Sequence, residues 1–159
     1  MAATQQERDQ GTATKRKALG EVELRHTVRP GIEEMLTELQ AWHGIKERSE
    51  AVQNLILNAR PDELDEVAEF EFAAGKSGRV RHYIRPGPRQ RLADLSGDTP
   101  EKHTVERLII AAHRHGPNGS APYLKTMRHE IIVSEAVAQK IRRAGIREAH
   151  ILTLEEESD

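Results

Sequence analysis

The chain of 159 residues contains no cysteine, which excludes disulfides, thiol catalysis and cysteine-liganded zinc. Aromatic residues make up only 3% and Trp occurs once. One large aromatic core is therefore not expected, and small modules that complete a core by pairing suit the composition better. No apolar run approaches the roughly 20 residues of a membrane span. The N-terminus lacks the apolar stretch of a signal peptide, so the expected location is cytoplasmic. Carboxylates and histidines are plentiful, yet none forms a recognisable nucleophile, metal or cofactor constellation. The expectation is a protein that is not an enzyme and carries no metal or cofactor.

What is present is charge, unevenly spread. Charged residues make up 31% and the net charge is −2. Six acids without a base occupy Asp62 to Glu71, and four more close the chain from Glu155 to Asp159. With those ten set aside, the rest of the chain carries +8. A locally basic face is what phosphate binding requires, whatever the total.

The organisation follows from a repeat. Residues 1–20 are polar, contain Lys15-Arg16-Lys17, and read as a flexible basic arm. From Val22 to Arg29 the pattern has a period of two, with Leu24 and Val28 on one face and Arg25, Thr27 and Arg29 on the other. Pro30-Gly31 ends this strand. Ile32, Met35, Leu36 and Leu39 follow at helical spacing, Gly44 marks a turn, and Ala51, Val52, Leu55, Ile56 and Ala59 form the apolar face of a second helix.

The same order returns after residue 78. RHTVRPG at Arg25–Gly31 becomes RHYIRPG at Arg81–Gly87, identical at five of seven positions and displaced by 56. Leu92 and Leu95 match Leu36 and Leu39. The turn glycines, Gly44 and Gly97, are displaced by 53, as are Val52 and Val105, so the second copy lacks three residues at the end of its first helix. Thr99 and Pro100 read as the cap and first position of its second helix, whose apolar face is Val105, Leu108, Ile109 and Ala112.

The expected organisation is therefore an arm (1–20), copy one (21–60), an acidic helix and Gly/Ser linker (61–78), copy two (79–116) and a C-terminal unit (117–159). The fold class is mainly α with short β-ribbons. In the linker, Ala73–Gly78 reads AAGKSG, but Phe70 stands where a phosphate loop needs its first glycine. His115–Pro122 reads as a loop. Met127–Glu148 reads as a strand and a helix capped by Ser134, either a degenerate third copy or part of a β-α-β cap.

Strand, helix, GIKERSEAV turn and second helix together resemble the ribbon-helix-helix superfamily of DNA-binding proteins, that of the Arc and MetJ repressors. The resemblance covers Val22–Arg60 and Arg79–His115, about half the chain, and is densest at RSEAV (Arg48–Val52); the second copy departs there, reading EKHTV (Glu101–Val105). It implies tandem ribbon-helix-helix modules in which paired strands enter the major groove of double-stranded DNA. The outward residues Arg25, Thr27, Arg81 and Tyr83 would read bases. Arg29 and Arg85, at the strand ends, would hold phosphate. The resemblance also implies phosphate anchoring where each second helix begins, at Lys46, Arg48 and Ser49, and at Thr99 and Lys102.

Whether the copies pair within one chain or between two chains of a homodimer is open at this stage. So is the biological role. The leading expectation is a transcriptional repressor of phage, plasmid or bacterial genes, located with the nucleoid. A conjugation or partition accessory factor, or an antitoxin whose C-terminal unit grips a partner protein, are the alternatives. His26 and His82 fall on the inward strand face and read as packing rather than nickel ligands. Trp42 reads as core or helix-end packing, and His113 and His115 as helix-end residues.

Overall fold

In the computed structural model, which describes residues 4–126 and Arg143, the two strand motifs pair with each other. The elements run α1 (Gln5–Ala18), β1 (Val22–Val28), α2 (Ile32–His43), α3 (Arg48–Leu57), α4 (Pro61–Glu66), β2 (Gly78–Ile84), α5 (Pro86–Ser96), α6 (Glu101–His113), α7 (Gly116–Gly119) and α8 (Ala121–Leu124). Among the described residues the protein is mainly helical, with one two-stranded antiparallel sheet. The Met127–Glu148 strand and helix lie outside the described residues.

β1 and β2 run antiparallel about a centre at Arg25 opposite Arg81. The register places Val22 beside Ile84, Leu24 beside His82, His26 beside Val80 and Val28 beside Gly78. Period-two alternation then sends His26, Val28, Val80, His82 and Ile84 inward, all buried. A two-stranded ribbon is marginal in water by itself, so its inner face must be covered. The cover crosses between the two halves of the chain: α2 packs on α6, and α5 packs on α3. Ile32, Leu36, Leu39, Leu92, Ile56 and Ile109 are fully enclosed there.

Both turn glycines have the positive φ that lets a helix end abruptly, 64° at Gly44 and 51° at Gly97. Gly78 has a different reason to be glycine. A Cβ there would meet Glu33 Oε2 at 2.7 Å, and this carboxylate accepts the Arg79 amide at 3.2 Å.

That contact belongs to a system closing the ribbon's outer edges. Ser49 Oγ accepts the Tyr83 amide at 2.9 Å, and Gln53 Oε1 accepts the Arg85 amide at 3.3 Å. On the other strand Glu106 Oε1 accepts the Arg29 amide at 2.7 Å. Gln53 and Glu106 sit 53 positions apart, the displacement of the repeat. α3 thus lends Ser49 and Gln53 to the end of β2, and α6 lends Glu106 to the end of β1. Open strand edges template unwanted pairing, and these side chains satisfy part of that edge.

Several sequence expectations are corrected. Residues 5–18 are a helix, not a flexible arm. Thr4 and Glu7 form a reciprocal capping box, and Lys15, Arg16 and Lys17 lie at the C-terminal end, where the helix dipole favours cations. None of its residues is buried. Its last turn is tethered by the Arg16 guanidinium, 3.7 Å from the centre of the Tyr83 ring. The acidic helix ends at Glu66, short of Glu71. Like charges three and four residues apart oppose its extension, while Phe72 leaves to pack under Arg29 at 3.7 Å.

Thr99 does not cap α6. Its amide is spent on Ser96 O at 2.8 Å, and extended Pro100 occupies the cap position instead. The stretch read as a loop holds the single turns α7 and α8. Tyr123 and Leu124 are buried, and Asn54 and Asn58 donate to the Leu124 and Tyr123 carbonyls. The extra turn at the end of α2 meets this region. Trp42 stacks on His113 with centroids 4.9 Å apart, and His43 Nε2 lies 2.7 Å from Ser120 Oγ.

The Arg29–Glu106 pair yields a stability prediction. The Glu106 side chain is 1% exposed and meets the Arg29 guanidinium at 2.5 Å. Arg29→Ala strands that carboxylate and costs about 2–3 kcal/mol, below the fully buried range because the Arg29 side chain is half exposed. Adding Glu106→Gln, the residue at the equivalent position 53, removes the stranded charge and restores most of the loss. Urea denaturation of wild type, single and double variants measures both effects.

Candidate nucleic-acid interface

Six side chains form the outer face of the ribbon. β1 presents Glu23, Arg25 and Thr27, and β2 presents Arg79, Arg81 and Tyr83, paired as Glu23–Tyr83, Arg25–Arg81 and Thr27–Arg79. Arg25, Thr27, Arg79 and Arg81 are exposed. All four residues expected to read bases therefore share one face.

Glu23 and Arg79 belong to that face although the motif comparison did not single them out. Each lies two residues before a motif arginine, so the same alternation identifies them. They are also repeat equivalents, 56 positions apart, one acidic and one basic. The Glu23 carboxylate holds Arg25 Nε at 2.5 Å and Arg81 Nε at 2.7 Å. Hydrogen bonding from Arg25, reinforced by Arg81, holds the Glu23 carboxyl below the usual carboxylate range. Arg81 also donates to Tyr83 Oη at 3.2 Å, and the Tyr83 ring carries Arg16. A chain of contacts thus runs Arg25–Glu23–Arg81–Tyr83–Arg16 along one half of the face.

The residues expected to hold phosphate divide into two groups. Lys46, before α3, and Lys102, in the first turn of α6, are exposed. Arg85 is partly occupied by Glu21 at 3.2 Å. Arg48 is turned to Glu33 at 3.1 Å and Thr37 at 3.3 Å. The Ser49 hydroxyl is spent on β2, so only its backbone faces the helix start. Arg29 is committed to Glu106 and Phe72, and the Thr99 amide bonds Ser96 O in the α5–α6 turn. The partners of Arg29, Arg48, Ser49 and Arg85 come from other elements, which neither the resemblance nor strand-end position could show. Neither α3 nor α6 has a side-chain cap, so first-turn amides remain open at both starts.

Directly beneath the face lie the two motif histidines. His26 Nε2 and His82 Nε2 are 3.2 Å apart, with ring centroids at 5.3 Å. One imidazole donates to the other, which requires the accepting ring to be neutral. Burial pushes both down; for His82, to about 4, it is followed by repulsion from His26. Among the described residues no group of three or more His, Asp or Glu is placed to hold a metal ion. No described helix is long and apolar enough to cross a membrane.

This pair makes stability pH-dependent in a stated direction. An unfolded histidine takes up its proton near pH 6.5, whereas folded His82 does so only near pH 4. Between those values the unfolded state binds more protons, so stability rises with pH across that window. The loss between pH 7 and pH 4 from His82 is about 3 kcal/mol, complete below pH 4. The nearby charges are Arg89 of α5, which works with burial, and Glu101 of α6, which partly opposes it at His26. Denaturation from pH 7 to pH 4 tests this: a His82→Phe variant shows a flatter acid limb than wild type.

No protein-family model, curated protein or solved structure matches this chain.

Proposed function

We propose that this chain binds double-stranded DNA by setting the β1–β2 ribbon into the major groove, as a ribbon-helix-helix unit complete within one chain. The observation that carries this reading is the antiparallel pairing of the repeated motifs about Arg25 and Arg81, which gathers their outward side chains on one face. The major groove is about 12 Å wide and admits a two-stranded ribbon. Arginine can bond guanine O6 and N7 together, worth roughly 1–3 kcal/mol of discrimination per contact.

The surroundings support the same reading. α3 and α6 start with open amides, accompanied by Lys46 and Lys102, and a helix start of that kind suits a phosphate. The arginines paired with carboxylates, Arg29 with Glu106 and Arg48 with Glu33, act as scaffold in this reading. The role that fits is a sequence-specific regulator, a repressor of phage, plasmid or bacterial genes. Because Thr27 is replaced by Tyr83, and Glu23 by Arg79, the two halves of the face differ, and the preferred site is asymmetric rather than palindromic.

Salt-dependent binding to duplexes selected from a random pool tests the proposal. Arg25→Ala and Arg81→Ala each reduce the preference for the selected site over random DNA by about 1–3 kcal/mol. Lys46→Ala weakens both uniformly and makes the salt slope shallower by about 1. Arginine variants that match wild type on a selected site would overturn the ribbon as the reading element.

A further inference from the structure

We infer that Glu23 sets the specificity of the ribbon by withholding positive charge from DNA that offers the two central arginines no base contact. This deepens the DNA-binding reading and rests on it. The geometry is distinctive because a carboxylate on a phosphate-seeking face is costly, yet here it stands beside the central arginine pair and bonds both of its members. Its side chain is 23% exposed, beneath Arg25 at 75% and Arg81 at 59%.

The contacts are selective within each guanidinium. Glu23 takes the Nε of both arginines, and its second oxygen takes one terminal nitrogen of Arg81 at 3.2 Å. A guanidinium has five N–H donors in a rigid fork, so terminal donors remain available on both residues. Tyr83 Oη accepts from the same Arg81 nitrogen and restricts that fork further. Both readers are thus held in place before DNA arrives, and less ordering cost falls on binding.

The charge consequence is direct. Two arginines and one glutamate present +1 where the arginines alone would present +2. Phosphate attraction is insensitive to sequence and supplies most non-specific affinity. Removing one unit of positive charge lowers that background, while Arg25 keeps both terminal nitrogens, and Arg81 keeps one, for a guanine edge. The repeat shows what the alternative looks like. The equivalent position of copy two is Arg79, exposed and without an acidic side-chain partner among the described residues within ion-pair distance. The ribbon therefore has a guarded half, at Glu23 and Tyr83, and an unguarded one, at Arg79 and Thr27.

The test compares full-length wild type, Glu23→Gln and Glu23→Asp on a duplex selected by the wild-type protein and on random duplex, over a range of salt. Glu23→Gln is expected to bind random DNA at least threefold more tightly. Its selected-to-random ratio falls about tenfold, and its salt slope on random DNA steepens by about 1. Glu23→Asp keeps the charge and the wild-type slope. An unchanged ratio and slope in Glu23→Gln, or an equal weakening on both duplexes, overturns the role of Glu23 while leaving DNA binding standing. A steepened slope in Glu23→Asp as well also overturns it, since lost ordering rather than charge would then be the cause. Wild-type protein that binds no duplex overturns the DNA-binding reading itself.

Discussion

Neither strand motif can bury its inner face alone, and pairing β1 with β2 inside the chain removes that difficulty for both at once. The register about Arg25 and Arg81 fixes everything built on it. It brings His26 against His82, sends Val28, Val80 and Ile84 into the core, and gathers three side chains from each strand on the opposite face. A slip of one residue would exchange the two faces, placing arginines in the core and apolar side chains in water. The helices reinforce the register by crossing over. Glu106 holds the position just past β1 and Gln53 the position just past β2, so α6 anchors the first strand and α3 the second. The buried face and the outer arginine face therefore follow from the same register.

The two halves that carry the strand motifs differ in the contacts they make. Position 53 is a neutral acceptor, but its equivalent, Glu106, is charged and is matched by the Arg29 guanidinium. Ser49 supports β2, whereas its equivalent Lys102 is exposed. The three residues missing from copy two fall where α2 carries Trp42, which stacks on the end of α6, and His43, which meets Ser120 beyond it. α1 precedes only the first copy, and its basic end rests on Tyr83. An internally paired chain is free to drift this way. A dimer of identical chains would have to repeat every change on both sides of its axis.

Much of this was legible in the sequence because it rests on periodicity. The alternation in RHTVRPG and RHYIRPG separates inward histidines from outward arginines, and the 3.6-residue pattern finds the buried faces of α2, α3, α5 and α6. The same alternation, carried two residues upstream, reaches Glu23 and Arg79. What periodicity does not encode is which distant partner a side chain meets. Arg29 and Arg48 looked like phosphate ligands because Glu106 and Glu33 become their neighbours only through the fold. The order in α1 was hidden for another reason. It depends on a capping box and end charges rather than an apolar face. α6 starts one residue later than Thr99 would place it, with Pro100 in the cap position and no side-chain cap.

The absence of cysteine makes a direct check of the central pairing clean. Thr27 and Arg79 stand opposite each other on the outer face, at a position where neither strand's amide bridges to the other, so their side chains lie close. Mass spectrometry of an oxidised Thr27→Cys/Arg79→Cys variant, prepared at low protein concentration, reads the pairing. The account predicts a disulfide within a chain of monomeric mass. Disulfide-linked dimers, or two thiols that remain free, would contradict it.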